Sequence, residues 1–293
     1  MRKFVFILMP LVVVLSFYSI DVKGIEQVEA NLYRNNAGAT ISREDLESLT
    51  ELLPMSKIDT LSQNEIDEII NGTIVSSEQK YYKTIYYNNG TEETTEVTKE
   101  EYDNASVEKV CTEYTRGNDA GYFETNYKKL GANLVELPNK HLLTIMLIWK
   151  MMPATRSYDV IAFRTRHMSY SNVDGCQTYY INGNYTDINY DSSSAGYKGL
   201  SNGAGISMNL KDETTISKLM LALWADLQIS STDYPYAHVF TTYQHAQSSL
   251  TRAQSKSYTL QAGGLGDVVY YSDMNIWNKY DDMTGIELII PTT

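Results

Sequence analysis

The sequence predicts an all-β protein, specifically an antiparallel β-sandwich preceded by a small helical N-terminal segment. From about Tyr122 onward, short runs rich in Tyr, Thr and branched aliphatic residues are separated by turn residues, which is typical of sandwiches and barrels. Strands and helices do not alternate along the chain, so a parallel α/β architecture is not expected. The 293 residues are enough for one large β domain or two smaller ones.

The first two dozen residues have the layout of a secretory signal peptide. Arg2 and Lys3 precede an apolar run from Phe4 to Ile20, and small residues follow at Gly24 and Ala30. We expect cleavage after one of these small residues and a secreted, extracellular protein that could associate with the cell envelope. A retained membrane anchor is the alternative, but no positively charged cluster follows the run. No later apolar stretch is long enough to cross a membrane, so no span is expected after signal removal.

The predicted domains are a signal peptide (1–24), an acidic N-terminal segment (25–118) and a β-sandwich (119–293). The middle segment combines short helices with a β-hairpin and is either a permanent module or a removable pro-region. Its strongest hairpin signal is Asn88-Asn89-Gly90 between two Tyr- and Thr-rich runs. Its helices are predicted from hydroxyl and carboxylate residues at capping-box spacing, namely Ser42 with Asp45, Ser62 with Glu65 and Thr98 with Glu101.

Strands are predicted throughout the last domain. The run from His141 to Trp149 is apolar on both faces, as in the middle of a packed sheet, although hydrophobicity alone would also allow a helix. Asn182-Gly183-Asn184 predicts a second hairpin turn between Thr178–Ile181 and Tyr185–Tyr190. The other predicted strands are Tyr158–Thr165, Ile206–Leu210, Ile216–Ile229, Tyr236–His245, Ser257–Ala262, Val268–Tyr271 and Ile286–Ile290.

The charge of the chain argues against a nucleic-acid partner. The formal net charge is −12, and residues 25–109 carry 18 acidic against 7 basic side chains. A phosphate backbone would be repelled by such a surface, because nucleic-acid binding depends on Lys and Arg neutralising phosphates. The simplest role for the acidic part is a solvated surface that keeps the protein soluble.

The two cysteines, Cys111 and Cys176, could form one disulfide in a secreted protein. A bridge closing a loop of this length would stabilise the fold by roughly 4 kcal/mol. Two separate buried thiols are the alternative, and spacing does not decide between them. The chain has no Cys-x-x-Cys motif, which argues against a zinc knuckle or a thioredoxin-type redox site.

Metal ligands are not predicted from any recognisable pattern. The four histidines are His141, His167, His238 and His245, and the last two are seven apart, which places them on opposite faces of a regular strand. Asp187, Asn189 and Asp191 match the first three ligands of a calcium loop, but Ser192 and Lys198 stand where its glycine and glutamate belong. We therefore predict no metal and no cofactor, with a different type of calcium site as the alternative.

No catalytic residue is predicted either. The segment Gly205-Ile206-Ser207-Met208-Asn209 lacks the second glycine of a nucleophile elbow. Gly263-Gly264-Leu265-Gly266 does not lead into a helix, so it lacks the N-terminus that would hold a phosphate. Acidic pairs such as Asp281-Asp282 occur in every acidic protein. Whether the protein is an enzyme is left open, with the balance against.

The aromatic content is the more suggestive feature. The chain has 24 Tyr but only 6 Phe, and Tyr suits half-exposed positions because its ring can pack while its hydroxyl stays in water. We expect Trp149 and Trp224 in the core, and leave Trp277 undecided. Exposed Tyr on a secreted sandwich suits a face that binds sugars or proteins, although Tyr is also a common strand residue.

The segment Trp149-Lys150-Met151-Met152-Pro153-Ala154-Thr155-Arg156-Ser157-Tyr158-Asp159 resembles a group of uncharacterised secreted proteins of Gram-positive bacteria. Later matches are Tyr243-Gln244-His245-Ala246, Ser255-Lys256-Ser257-Tyr258 and the glycine-rich run at 263–266. The resemblance implies a secreted origin and a β-sandwich, but no activity and no site residue. We expect the first segment to be a corner between two strands, tied by hydrogen bonds of Arg156 and Asp159.

The sequence thus predicts a non-enzymatic extracellular protein that binds a glycan, a cell-envelope polymer or a protein partner. Two alternatives remain: a secreted hydrolase with a site assembled from dispersed residues, and a toxin or bacteriocin-like effector released by removal of the acidic segment.

Overall fold

The computed structural model describes residues 32–87, 92–105, 122–150, 152–213, 215–261, 268–281 and 285–292. Strands dominate these residues and pair in the antiparallel sense, which confirms the all-β prediction. The predicted signal peptide lies outside them. None of the helices that the structure describes is both long enough and apolar enough to cross a bilayer.

The described strands and helices follow one another in a fixed order, and most helices are short. They are β1 (Leu32–Arg34), β2 (Thr40–Ser42), α1 (Arg43–Leu52), α2 (Met55–Ile58), α3 (Gln63–Ile70), β3 (Thr73–Tyr87), β4 (Glu92–Val97), α4 (Lys99–Asn104), β5 (Tyr122–Leu137), β6 (Lys140–Trp149), β7 (Tyr158–Arg166), β8 (Met168–Ile181), β9 (Asn184–Tyr190), β10 (Tyr197–Leu200), β11 (Gly203–Asn209), β12 (Ile216–Ile229), β13 (Tyr236–Gln244), α5 (Arg252–Ser255), β14 (Thr259–Leu260), β15 (Val269–Tyr270), α6 (Met274–Trp277) and β16 (Ile286–Pro291).

Two large sheets form the sandwich. The seven-stranded sheet has the order β4-β3-β5-β6-β12-β8-β9, and the five-stranded sheet has the order β10-β11-β7-β13-β16. Side chains alternate along each strand, so that Ile161 and Phe163 of β7 face the seven-stranded sheet while Val160 and Ala162 point away from it. The inner faces of both sheets together form the main apolar core.

Strand β6 is apolar on both faces because both faces of its sheet are covered. Leu143, Ile145 and Leu147 pack against the five-stranded sheet, whereas Met146 and Ile148 pack on the opposite side. The helical alternative for this run is therefore wrong. The reason is that an apolar run bounded by turns satisfies its backbone groups by pairing with β5 and β12.

Helices α1 to α3 cover the outer face of the seven-stranded sheet. Ser42 caps α1, and Ser62 and Glu65 form the complete capping box predicted for α3. The apolar faces of these helices join residues of β6 and β12 in a second core that includes Leu49, Ile66, Met146, Ile148 and Trp224. Such short helices depend on this packing, because isolated ones are unstable in water.

Much of the predicted acidic segment is built into the sandwich. Strand β3 pairs with β5 from Thr73 to Tyr87, and β4 forms the edge of the same sheet. The described residues belong to one compact unit, Asn31–Thr293. Strand β3 is also twice as long as the predicted run Tyr81–Tyr87. Its polar first half gives no strand signal, and it is extended because β5 lies beside it.

The C-terminal residues cover about half of the outer face of the five-stranded sheet. Helices α5 and α6 and the small hairpin β14–β15 form a third core with this face. Its members include Val160, Ala162 and Phe240 from the sheet, and Tyr258 and Tyr271 from the cover. The two predicted strands of this region, at 257–262 and 268–271, are only two residues long each, since their pairing is purely local.

The hairpin turn predicted at Asn182-Gly183-Asn184 is confirmed between β8 and β9. Asn182 and Gly183 have φ angles of 52° and 81°, the left-handed pair that a two-residue hairpin turn requires. The turn of the first hairpin, Asn88-Asn89-Gly90, lies outside the described residues. Its flanking strands β3 and β4 do pair, from Tyr81 with Val97 to Tyr86 with Glu92.

Of the two cysteines, Cys176 lies in the described part of the structure. Its thiol is free and buried in the second core, 3.6 Å from the Thr178 hydroxyl, and burial raises its pKa to about 12. Cys111 lies outside the described residues, so the bridge between the two stays a prediction.

Candidate functional site

The described residues bring polar side chains together in two places, at opposite ends of β7. One is a buried cluster between the two sheets near Asp159, and the other is a groove on the outer face of the five-stranded sheet near Arg166. Seven residues of extended strand separate them, which corresponds to roughly 23 Å. Only the second is open to a ligand.

The inner polar cluster consists of Glu92, Lys128, Asp159, Tyr243, His245 and Asp281. Its centre is the carboxylate of Asp159, which accepts hydrogen bonds from the Tyr243 hydroxyl, from His245 Nδ1 at 3.0 Å and from the Ala246 amide at 3.0 Å. The Trp149 indole in turn donates to the Tyr243 hydroxyl at 3.0 Å. Three donors on one buried carboxylate stabilise its ionised form.

A buried ion pair completes the cluster. Lys128 is bonded to Asp281 with both side chains fully enclosed, and its ammonium lies 4.6 Å from the centre of the Trp149 ring. Asp281 also accepts the His245 amide at 2.7 Å. Desolvation of two charges is costly, so such a pair persists only where further hydrogen bonds and ring contacts surround it.

The imidazole of His245 lies between two carboxylates. Its Nε2 atom is 3.8 Å from Glu92 Oε2, and neither atom has a hydrogen-bond partner among the described residues. Burial alone would lower the pKa of His245, but the charge of Asp159 and the hydrogen bond to it outweigh burial and raise the pKa. Burial also raises the pKa of Glu92, against the opposing attraction of His245.

An Asp–His–Glu arrangement could in principle move protons, but this one has no opening in the described structure. Lys128, Asp159, His245 and Asp281 are each at most 3% exposed. Catalysis needs a position where a substrate atom can reach the acid or base. As described, the inner polar cluster therefore joins the two sheets and has no visible place for a substrate.

Sequence reasoning missed this cluster, although its residues occur in the quoted segments. Trp149, Asp159, Tyr243 and His245 all belong to the two segments that resemble the secreted Gram-positive group. The expected joint role of Arg156 and Asp159 is wrong in its detail. Arg156 binds Asp212 and the Glu213 carbonyl at the surface, while Asp159 turns inward.

The open site, which we call the outer groove, has a volume of about 420 Å³. Arg164 and Arg166 enter it from β7, and Phe240 enters from β13, because all three lie on the outer face of the five-stranded sheet. The β7–β8 turn contributes His167. The rest of the lining is Thr165, Met168, Ser169, Ser201, Asn202 and Ser230.

Backbone hydrogen bonds hold the loops around the outer groove. The Thr165 amide donates to the Asn202 carbonyl at 2.7 Å, and the Thr165 hydroxyl donates to the Met168 carbonyl at 2.7 Å. The Ser230 amide donates to the carbonyl of His167, which has a φ of 66°. Three separate chain segments are thus fixed to one another, so the groove is preformed.

One wall of the outer groove is aromatic and exposed. The His167 ring stacks on Tyr234, with ring centres 3.8 Å apart and planes 15° apart. Tyr234 and the neighbouring Tyr236 are each 52% exposed, which is unusual for side chains of this size. On the sheet itself, His238 stacks on Phe240.

The electrostatics of the outer groove are positive. The Arg164 Nη1 atom donates to the Leu260 carbonyl at 2.6 Å, and the Arg166 guanidinium lies 5.7 Å from the Phe240 ring. Among the described residues, no carboxylate lies within 4 Å of either arginine, whereas Glu287 is bonded to His238 at 2.7 Å. Burial lowers the pKa of Arg164, and the charge of Arg166 lowers it further.

The remaining predicted site residues are dispersed. His238 lies on the outer face of β13 and His245 in the inner polar cluster, as their odd spacing predicts. Asp187 is bonded to Thr178, and Asp191 accepts from the amide and hydroxyl of Ser193 in its own loop. Within the described ranges, no three His, Cys, Asp or Glu side chains are grouped as a metal site would require.

The tryptophan predictions can be compared directly. Trp149 and Trp224 are buried in the first and second cores, which confirms both predictions. Trp277, which was left undecided, packs partly buried against the third core. The exposed aromatic rings of the outer groove are therefore tyrosines and a histidine.

The fold and groove define a β-sandwich with an open polar and aromatic groove on one outer face. No protein-family model and no curated protein matches the chain. Among solved structures, TmCBM61 in complex with β-1,4-galactotriose is 13% identical, with 42% of this chain and 74% of that chain covered and a TM-score of 0.18. The membrane-inserted form of the Clostridium perfringens NetB toxin is 11% identical, with coverages of 57% and 84% and a TM-score of 0.17. Scores this low carry no argument about function.

Proposed function

We propose that this is an extracellular binding protein whose outer groove holds a glycan or a cell-envelope polymer. The observation that carries the proposal is the exposed aromatic wall, Tyr234 stacked on His167 with Tyr236 beside it, next to a preformed polar groove. Exposed rings of this kind offer an apolar face and a polar edge together. Sugar rings present the complementary combination of apolar faces and hydroxyl groups.

The size and chemistry of the outer groove support the same function. Its volume of about 420 Å³ lies within the range of small-molecule sites, which is roughly 300–1,000 Å³. Ser201, Asn202 and Ser230 lie in its lining and carry hydrogen-bonding side chains. A groove that is open at the surface suits a polymer, because the chain can continue beyond the bound unit.

The same lining argues against the hydrolase alternative at this place. Glycoside hydrolysis normally needs two carboxyl groups that flank the scissile bond. The groove is lined by Arg, His, Ser, Thr, Asn, Met and Phe, with no Asp or Glu in its lining among the described residues. Binding is therefore the better proposal for the outer groove.

The N-terminal segment is proposed as a permanent module. Strand β3 pairs with β5 along its whole length, and α1 to α3 cover the outer face of the seven-stranded sheet. Removing residues 25–118 would leave β5 as a long unpaired edge and expose the second core. Unpaired apolar edges of this kind cause aggregation, which argues against a simple pro-region.

The test is retention on isolated bacterial cell envelopes and on an immobilised glycan panel. We expect the purified protein to be retained, and Tyr234→Ala and Tyr236→Ala to weaken retention. The matched control is Tyr270→Ala, which removes a tyrosine with 40% exposure from the small hairpin instead of the groove. No retention on any surface, or equal loss in the control, would contradict the proposal.

A further inference from the structure

Arg164 and Arg166 form an unusual feature in a protein with a net charge of −12. They are two residues apart on β7, so their side chains leave the same face of the sheet. Both line the outer groove, and no described carboxylate lies within 4 Å of either one. Two like charges side by side without a partner repel each other, and an anion placed between them would remove that repulsion.

Neither arginine is free to turn away from the groove without losing a contact. Arg164 Nη1 is held by the Leu260 carbonyl at 2.6 Å, and the guanidinium of Arg166 lies over the Phe240 ring at 5.7 Å. A guanidinium has five N–H donors, so the bond to Leu260 leaves most donors of Arg164 for a ligand. Preorganised donors bind more tightly because less side-chain entropy is lost.

The charge distribution around the pair also favours an anion. Burial and the neighbouring charge of Arg166 lower the pKa of Arg164, which nonetheless stays protonated because arginine loses its proton only at extreme pH. The hydroxyls of Ser169 and Ser201 lie in the same lining as further donors. Glu287, on the next strand but one, is engaged by His238.

Building on the proposed function, we infer that the outer groove selects polymers that carry carboxylate or phosphate groups, and that Arg164 and Arg166 bind the anionic group. The planar guanidinium fork matches the two oxygens of either group. The aromatic wall of His167 and Tyr234 then contacts the adjoining ring or chain. An acidic polysaccharide and a polyol phosphate share this chemistry, and both sources are tested below.

The experiment compares binding of the intact protein to three defined polymers by isothermal titration calorimetry. They are polygalacturonate, its carboxyl-reduced neutral form, and a glycerol phosphate polymer; inorganic phosphate serves as competitor. We expect at least one anionic polymer to bind roughly tenfold more tightly than the neutral one, since hydrogen bonds to charged groups are the stronger kind. Added salt should weaken the anionic interaction.

Three variants assign the effect to the pair. Arg164→Gln and Arg166→Gln should each remove most of the tenfold preference, and Arg166→Lys should keep part of it because the charge remains while the fork is lost. Arg252→Gln is the matched control, since Arg252 lies on α5, away from the groove lining. Circular dichroism melts of each variant establish that it is folded.

The outcomes separate this inference from the proposed function. Equal binding of acidic and neutral polymers, unchanged in the arginine variants, would overturn the anion preference and leave polymer binding intact. Absence of binding to every polymer by the folded wild type would overturn both. Tight binding of the glycerol phosphate polymer alone would support the inference and identify phosphate as the anion.

Discussion

His245 Nδ1 lies 3.0 Å from Asp159 Oδ2, and both side chains are almost completely removed from solvent. The contact joins β7 to the end of β13 at the point where the seven-stranded sheet supplies Lys128 and Glu92. Five charged side chains thus lie in the interior of the sandwich. Their arrangement and the packing around them lead to specific expectations for stability.

Removing the central carboxylate should strongly destabilise the fold. Asp159→Ala leaves the Tyr243 hydroxyl, His245 Nδ1 and the Ala246 amide without their shared acceptor. Breaking a buried charged network of this kind typically costs about 3–5 kcal/mol. Urea denaturation measures the loss, and Asp212→Ala, at a carboxylate that is 82% exposed, should change stability by less than about 1 kcal/mol.

The stability contributed by His245 should decrease as the pH rises. Its pKa in the folded protein is raised, so its contribution is complete below the unfolded value of about 6.5 and is lost as the pH rises through the folded value. The Tm difference between wild type and His245→Gln should therefore be larger at pH 6 than at pH 9.

Other groups do not confuse this comparison. Burial lowers the pKa of Lys218 to about 8, which changes stability in the opposite direction, but it does so in wild type and variant alike. The raised pKa of Glu92 acts in the same direction as that of His245. A difference that grows from pH 6 to pH 9 would contradict the assigned charge of His245.

Lys128→Met should be more harmful alone than together with neutralisation of its partner. The single change leaves Asp281 as a buried carboxylate without its counter-charge and should cost about 3–5 kcal/mol. Adding Asp281→Asn keeps an acceptor for the His245 amide while removing that charge, so the double variant should regain part of the loss. A double-mutant cycle in urea measures the coupling, and additive effects would show that the pair is not coupled.

Gly175 permits a close approach between the sheets. A Cβ added there would lie 2.7 Å from the Ala222 carbonyl oxygen and 3.0 Å from side-chain atoms of both Ile206 and Met208. Gly175→Ala should therefore overpack the core and cost about 1–3 kcal/mol. In Gly131→Ala the nearest atoms are 3.7 Å and 4.0 Å away, so this control should melt close to wild type.

Cys176 should be unreactive in the native protein. Its side chain is fully buried and burial raises its pKa to about 12, so little thiolate is present for reaction with an alkylating reagent. Mass spectrometry after labelling should show no modification of Cys176 until denaturant is added. The same measurement with and without reductant tests the predicted bridge to Cys111, through a gain of two hydrogens.

Some features of this protein follow from local sequence. The capping box of Ser62 and Glu65, the left-handed turn at Asn182-Gly183 and the apolar run of β6 each depend on residues close together in the chain. Their physical causes, namely a capping hydrogen bond, a positive φ and burial on two faces, are local or nearly so. These elements and the all-β class were therefore predictable.

The sites depend instead on distant residues. Asp159 and His245 are 86 positions apart, and Lys128 and Asp281 are 153 apart, so no spacing rule brings them together. The first half of β3 is extended only because β5 accepts its hydrogen bonds, and the outer groove exists only where three separate loops meet. Local sequence determined the elements and their faces, because caps, turns and alternation act over a few residues. Tertiary structure alone decided which charges are buried together and which aromatic rings stay exposed, because sheet order and packing set those contacts.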